Sequence, residues 1–205
     1  MTCFDGQGRE AEAIVTHLST REIILQLGQQ RQALPPPWQI SLGIAVPGQG
    51  KLEEIINQAT QLGVGRIIPL STQRTVAHRT PEQFSRKLNH LRQVSIEALK
   101  QCGLCRIPEI QSITPWKGLL TTLSRYDLVL ISTVEGPHEG MKELVVARRP
   151  RDLLLLVGPE GDFSPEEIHQ AVQAGAHRVG LGPSVLRCET AAVAAISIVS
   201  FLLRE

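Results

Sequence analysis

The sequence predicts an α/β protein in which a small β unit precedes a doubly wound, mostly parallel sheet. Three observations carry this expectation. Short apolar runs alternate with amphipathic helical segments from residue 40 onward. Those runs are continuous rather than alternating, as suits parallel strands covered on both faces. Pro35-Pro36-Pro37, stiff and without backbone donors, separates them from an earlier stretch of β pattern. The chain is therefore divided into residues 1–34, the β unit, and 38–205, the α/β domain.

In the β unit two strands are predicted, 11–18 and 22–27, joined by the polar turn Ser19-Thr20-Arg21. After the prolines come a strand at 40–46 and a helix at 51–62, in which Leu52, Ile55, Ile56, Ala59 and Leu62 share one face and Gly63 supplies a left-handed stop. A strand at 66–70 follows. Thr80-Pro81-Glu82-Gln83 reads as N-cap, first-position proline and capping-box residue, and opens a long helix to about Cys102 whose inner face runs through Phe84, Leu88, Leu91, Ser95, Ala98 and Cys102. Further strands are expected at 128–131, 153–157 and 178–181, and an apolar helix at 191–203. In such folds ligands bind at the carboxyl ends of the strands.

Composition narrows the function. With 42% hydrophobic residues in 205, the chain can bury a full core. The formal charge of +1 leaves no global footprint for nucleic acid or membrane, so any basic patch is local. The apolar stretch 191–203 is shorter than a bilayer span and is broken by Ser197 and Ser200. No apolar signal core opens the chain, and four cysteines without a secretory segment suggest reduced thiols and a cytoplasmic protein. Cys102 and Cys105 form a lone C-x-x-C with no second pair, so no metal is expected.

Two loops carry the chemical signal. In LLLLVGPEGDFSPEEI, Ser164, Pro165 and Glu167 form a helix start, and Phe163 with Ile168 has the spacing of a hydrophobic staple. Gly158-Pro159-Glu160-Gly161 is left over, a tight turn at a buried strand end. It is either a plain turn or a loop whose glycines let a ligand approach the backbone. The dinucleotide and P-loop spacings are absent, and Glu160 with Asp162 would repel a pyrophosphate, so a neutral or cationic ligand fits better. The second loop, GLGPSVLRCETA, runs from Gly180 to Ala191 into the last helix.

GPEGDFSPEEI followed by LGPSVLRCETA resembles the signature of the RsmE-type uridine-N3 methyltransferases of small-subunit (16S) ribosomal RNA, within the SPOUT superfamily. GKLEEIINQATQLGVGRIIPL and EALKQCGLCRIPEI extend the likeness over nearly all of the chain after the prolines. The resemblance implies a C-terminal trefoil knot, an exception to the rule against threaded connections, a homodimer, and S-adenosylmethionine (SAM) held by three loops. Carried over, these comprise Ile131, Ser132 and Thr133; Val157, Gly158, Pro159, Glu160 and Gly161; and Leu181, Gly182, Val185, Leu186 and Arg187. Arg187 is the expected catalytic residue, since a guanidinium stays protonated and can stabilise an oxyanion developing on the uracil. Glu160 and Glu189 are both candidates for proton acceptor or for orienting Arg187.

The β unit then corresponds to a shortened PUA-like RNA-binding domain. From Arg74 to Arg106 the charge is about +5, either an RNA-tracking face or a solvated helix exterior. Arg74, Arg79, Arg86, Lys87, Gln101 and Arg106 are the RNA-binding candidates. Aromatic residues are 3% of the chain, too few for extensive base stacking. The sequence departs from the family pattern where Asp162 replaces a second glycine, Ser184 and Leu104 replace arginines, Cys188 a threonine and Lys100 a glutamate. Two alternatives follow: a non-catalytic RNA-binding or ribosome-assembly module that keeps the knotted fold, and a nucleotide-phosphate enzyme using the Gly158 loop.

Overall fold

The structure is a computed structural model that describes residues 1–48, 50–75 and 81–204, the side chains of Pro81 and Glu82 excepted. Thr80 of the predicted capping box and Arg79 of the basic stretch lie outside the described residues.

Three antiparallel strands, β1 (Thr2–Phe4), β2 (Arg9–Leu18) and β3 (Ile23–Gln32), form the first sheet in the order β1-β2-β3. The Ser19 hydroxyl accepts from the amides of Arg21 and Glu22, which makes the predicted polar turn. β3 runs on past residue 27, the predicted end. Its polar tail shows no alternation, yet Gln30, Arg31 and Gln32 pair with Ala11, Glu10 and Arg9, so backbone pairing rather than side-chain pattern sets its length.

The large sheet is built from β4 (Gln39–Ala45), β5 (Arg66–Ser71), β6 (Glu109–Ile110), β7 (Thr114–Pro115), β8 (Leu128–Ser132), β9 (Asp152–Val157) and β10 (His177–Val179). Its order is β10-β8-β9-β4-β5-β6, with β7 beside β5, and every pairing is parallel. The helices are α1 (Lys51–Gln61), α2 (Pro81–Cys102), α3 (Trp116–Leu120), α4 (Met141–Arg148), α5 (Pro165–Gln173) and α6 (Cys188–Leu202).

Successive residues of each central strand point to opposite sides, and the sheet divides the core accordingly. Leu42, Ile44, Leu130, Leu155 and Val157 pack with residues of α1, α2, α4 and α6. Ile68, Leu70, Val129, Ile131, Leu154 and Leu156 pack with α3 and with Phe163 and Ala171 around α5. Coverage on both sides is why the strands read as unbroken apolar runs, each fully buried leucine contributing about 2 kcal/mol of burial. Gly63 ends α1 with φ +79, and the amide of Val64 reaches back to the carbonyl of Ala59, a Schellman closure. α3, α4 and the two-residue strands were not readable as periodicities. α4, for example, buries only Met141 and Val145, too few positions to display a helical period.

The two sheets are joined by backbone and by one side chain. Gly8 and Ile107 donate to the carbonyls of Cys105 and Gly6. The Arg106 guanidinium donates to the carbonyls of Gln7 and Ala33, both at 2.8 Å.

α5 starts as predicted, with Ser164 as N-cap and a reciprocal capping box to Glu167. Phe163 lies beneath it, 5.0 Å from the Trp116 ring. Glu167 does more than cap: one carboxylate oxygen accepts from Ser164 N at 2.9 Å and the other from Gln73 N at 2.7 Å, which ties the loop after β5 to α5. Glu167→Ala is expected to cost about 2 kcal/mol, since it strands two amides that a carboxylate now satisfies, and Glu167→Gln less; urea denaturation midpoints check both.

Candidate functional site

Parallel pairing fixes where the site lies. Ile131 of β8 pairs with Leu156 of β9, and Val179 of β10 with Ser132, so the three strands end level and their loops emerge side by side. Those loops, with the start of α6, enclose a cleft of about 620 Å3 counted to its open mouth.

Among the predicted cofactor residues, Ser132, Thr133, Val157, Gly158, Pro159, Glu160, Leu181, Gly182, Val185 and Leu186 line this cleft. Gly158 and Gly182 thus face one cavity. Ile131 is instead fully buried in the core beneath it. Gly161 turns away, its carbonyl accepting from Arg74 Nη1 at 2.6 Å. Arg187 is exposed and is the N-cap residue of α6, flanked by Leu186 and Cys188, which do line the cleft.

Both glycines are required by their local surroundings. A Cβ on Gly158 would stand 3.0 Å from Phe163 N and from Asp162 Oδ1. Gly182 has φ +125, a conformation that strains any L side chain.

Asp162, Val134, Pro183, Ser184, Cys188 and Ala191 complete the lining, beyond the residues named from sequence. Asp162 has φ +60. Glycine adopts this conformation most easily, and aspartate is among the few other residues that tolerate it. Its carboxylate accepts from Val134 N at 2.9 Å and from Phe163 N at 2.7 Å, pinning the loop after β8 to the loop after β9. Thr133 is held in turn: Arg178 Nε donates to its hydroxyl at 2.9 Å, and His138 Nε2 sits 3.1 Å away.

Lys51, the first residue of α1, is the participant that sequence reasoning missed. Its Nζ donates to Glu160 Oε1 at 3.0 Å and lies 3.9 Å from Glu189 Oε2, so the two carboxylates flank one ammonium. Burial pushes the Glu160 carboxyl up, but its own amide, Lys51 and the Gly48 amide outweigh this and hold it below the ordinary glutamate value. Glu189 is likewise lowered, by its own backbone amide at the start of α6, then by the Cys188 thiol, Lys51 and Arg187 against a smaller effect of burial. Cys188, buried and donating to Glu189 Oε2 at 3.2 Å, has its thiol pushed up to about 12, first by burial and then by the neighbouring carboxylates. It is an inert thiol at neutral pH.

The RNA-binding candidates are spread out. Arg86 and Gln101 are exposed on α2, whereas Lys87 pairs with Glu53 at 2.5 Å. Arg74 is engaged with Gly161, and Arg106 with the first sheet. Among the described residues no cluster of His, Cys, Asp or Glu could hold a metal ion, and no helix is long and apolar enough to cross a membrane.

Residues 34–200 match the family model of the RNA methyltransferase domain. The chain belongs to the RNA methyltransferase family. Its relatives in that family include the ribosomal RNA small subunit methyltransferase E of Mycobacterium bovis, 30% identical over 97% of this chain and 76% of that protein. Among solved structures, a methyltransferase of Legionella pneumophila in complex with the cofactor SAM superposes with a TM-score of 0.90 at 28% identity, over 98% of this chain and 81% of the other. The ribosomal RNA small subunit methyltransferase E of Neisseria gonorrhoeae, bound to S-adenosyl methionine, gives 0.87 at 25% identity, over 98% and 82%.

If the Asp162 pin holds the methyltransferase cleft together, Asp162→Ala should lower stability by about 2 kcal/mol, losing two accepted amides and placing alanine at positive φ. Asp162→Gly, which relieves the strain but not the loss, should cost about half as much. Thermal melts of the two variants make the comparison.

Proposed function

We propose that this protein methylates N3 of a uridine in small-subunit (16S) ribosomal RNA with SAM as donor, working as a cytoplasmic homodimer. The observation that carries the reading is the shared cleft: loops from three adjacent strand ends place Gly158 and Gly182 on one cavity with the start of α6. The lining suits SAM. Glycine backbone admits the ligand closely, Val157, Leu181 and Leu186 offer apolar surface, and the ionised Glu160 suits a cation. The same carboxylate, with Asp162, disfavours a phosphate-bearing ligand.

SAM, when bound, supplies an electrophilic methyl group on a sulfonium. The chain must present an unstacked uracil to it and manage the charge that appears when N3 loses its proton. Arg187 stands at the rim, where an incoming base arrives, and its permanent charge suits an oxygen of the uracil that turns anionic. The lowered values of Glu160 and Glu189 make each a weak proton acceptor for so weak an acid, which favours an orienting role for Glu189, next but one to Arg187.

The remaining assignments rest on the same family likeness. The C-terminal segment passes from the edge strand β10 through 180–187 back to α6, which packs on α1, α4, β4 and β9, an arrangement that suits a trefoil knot. α6 leaves Ile198 40% and Phe201 64% exposed, an apolar face that a second subunit would cover. Residues 1–34 are assigned as a PUA-like RNA-binding domain, with 38–205 as the knotted catalytic domain, and Arg86 and Gln101 extend the RNA face along α2.

Arg187→Ala should keep SAM affinity within about threefold in calorimetry while slowing methyl transfer on the order of 100- to 1,000-fold, the usual loss when one oxyanion donor is removed. Mass spectrometry of ribosomal RNA from cells with and without the protein should show one methyluridine disappear. Full activity in the variant, or unchanged RNA, overturns the assignment, and a protein that binds no SAM is better read as a non-catalytic ribosome-assembly module.

A further inference from the structure

Lys51 occupies a costly position. At the first turn of α1 a cation faces the positive end of the helix dipole, and the N-cap, Gly50, brings no capping side chain. Acidic residues follow as expected at Glu53 and Glu54. The lysine gains instead from a contact 109 positions away in sequence, with Glu160 at 3.0 Å, and from Glu189 at 3.9 Å. Two carboxylates so near one ammonium would repel each other without it. The cation nearest Glu189 along the chain is Arg187, the N-cap residue of α6, two positions before it.

We propose that Lys51 is a positioning residue of the methyl transfer: as the common counter-ion of Glu160 and Glu189, it keeps both carboxylates from drawing the Arg187 guanidinium away from the substrate. The proposal rests on the function assigned above. Lys51 does not itself line the cleft. It links the loop after β9 to the start of α6 and offsets one of their two negative charges. Without it Glu160 keeps its own backbone amide and the 3.4 Å contact from the Gly48 amide, and the surplus negative charge must be met by Arg187 or by a proton.

Both fates can be read. Lys51→Met should lower kcat about 100-fold, the scale of a misplaced catalytic group, with the KM for SAM changed less than about threefold. Lys51→Arg should restore most of the rate. The acidic limb of the pH profile should move upward in Lys51→Met, because Glu160, facing Lys51 and Cys188, and Glu189, facing Lys51, Cys188 and Arg187, lose their shared cation. Carboxyl-carbon NMR titration of the cofactor-free protein should show the same rise independently of turnover.

Wild-type methyl transfer together with an unaltered kcat and unaltered carboxyl titration in folded Lys51→Met overturns the proposal and leaves the functional reading intact. A wild-type protein that transfers no methyl group overturns both.

Discussion

Everything at the site depends on parallel pairing among β8, β9 and β10. Because neighbouring parallel strands run the same way, their carboxyl ends meet at one edge, and the register leaves no stagger between Ser132, Val157 and Val179. Loops separated by some fifty residues of chain therefore share one wall. The apolar runs that read so plainly as strands build this alignment, since helices on both sides bury Leu153 and Leu155 on one face and Leu154 and Leu156 on the other.

On that base a second layer of polar contacts fixes the loops themselves. Asp162 joins the first loop to the second, Glu167 joins the second to the segment after β5, and Arg178 steadies Thr133. The Asp162 and Glu167 tethers accept where the loop backbone would otherwise be unpaired. The cleft is thereby given a fixed shape by the protein's own contacts. Charge is partly offset at the same place, with one lysine set between two carboxylates.

Much of this was legible in the sequence, and the limits have physical causes. The capping box at Ser164 and Glu167 and the stop at Gly63 were readable because they are local, spanning three or four residues. The convergence of Gly158 and Gly182 was readable because strand ends in such sheets gather ligands. Lys51 was not, since at a helix start it reads as an ordinary solvated charge and only topology carries it to Glu160. Arg106 looked like part of a basic face for the same reason, when its donors in fact point at carbonyls of the first sheet. Asp162 was noticed only as a departure from a pattern, and the left-handed backbone that gives it meaning has no signature in composition.

The Arg106 junction has an evolutionary consequence. The guanidinium grips the main chain at Gln7 and Ala33, and the adjoining bridges at Gly6 and Gly8 are also backbone to backbone. A joint of that kind reads the path of the partner strand and constrains few of its side chains beyond Gly6 and Gly8, where a Cβ would meet Ile107 and Arg106. The outer surface of the small sheet is thus free to diverge, and to track a changing partner, while the hinge that carries it stays the same.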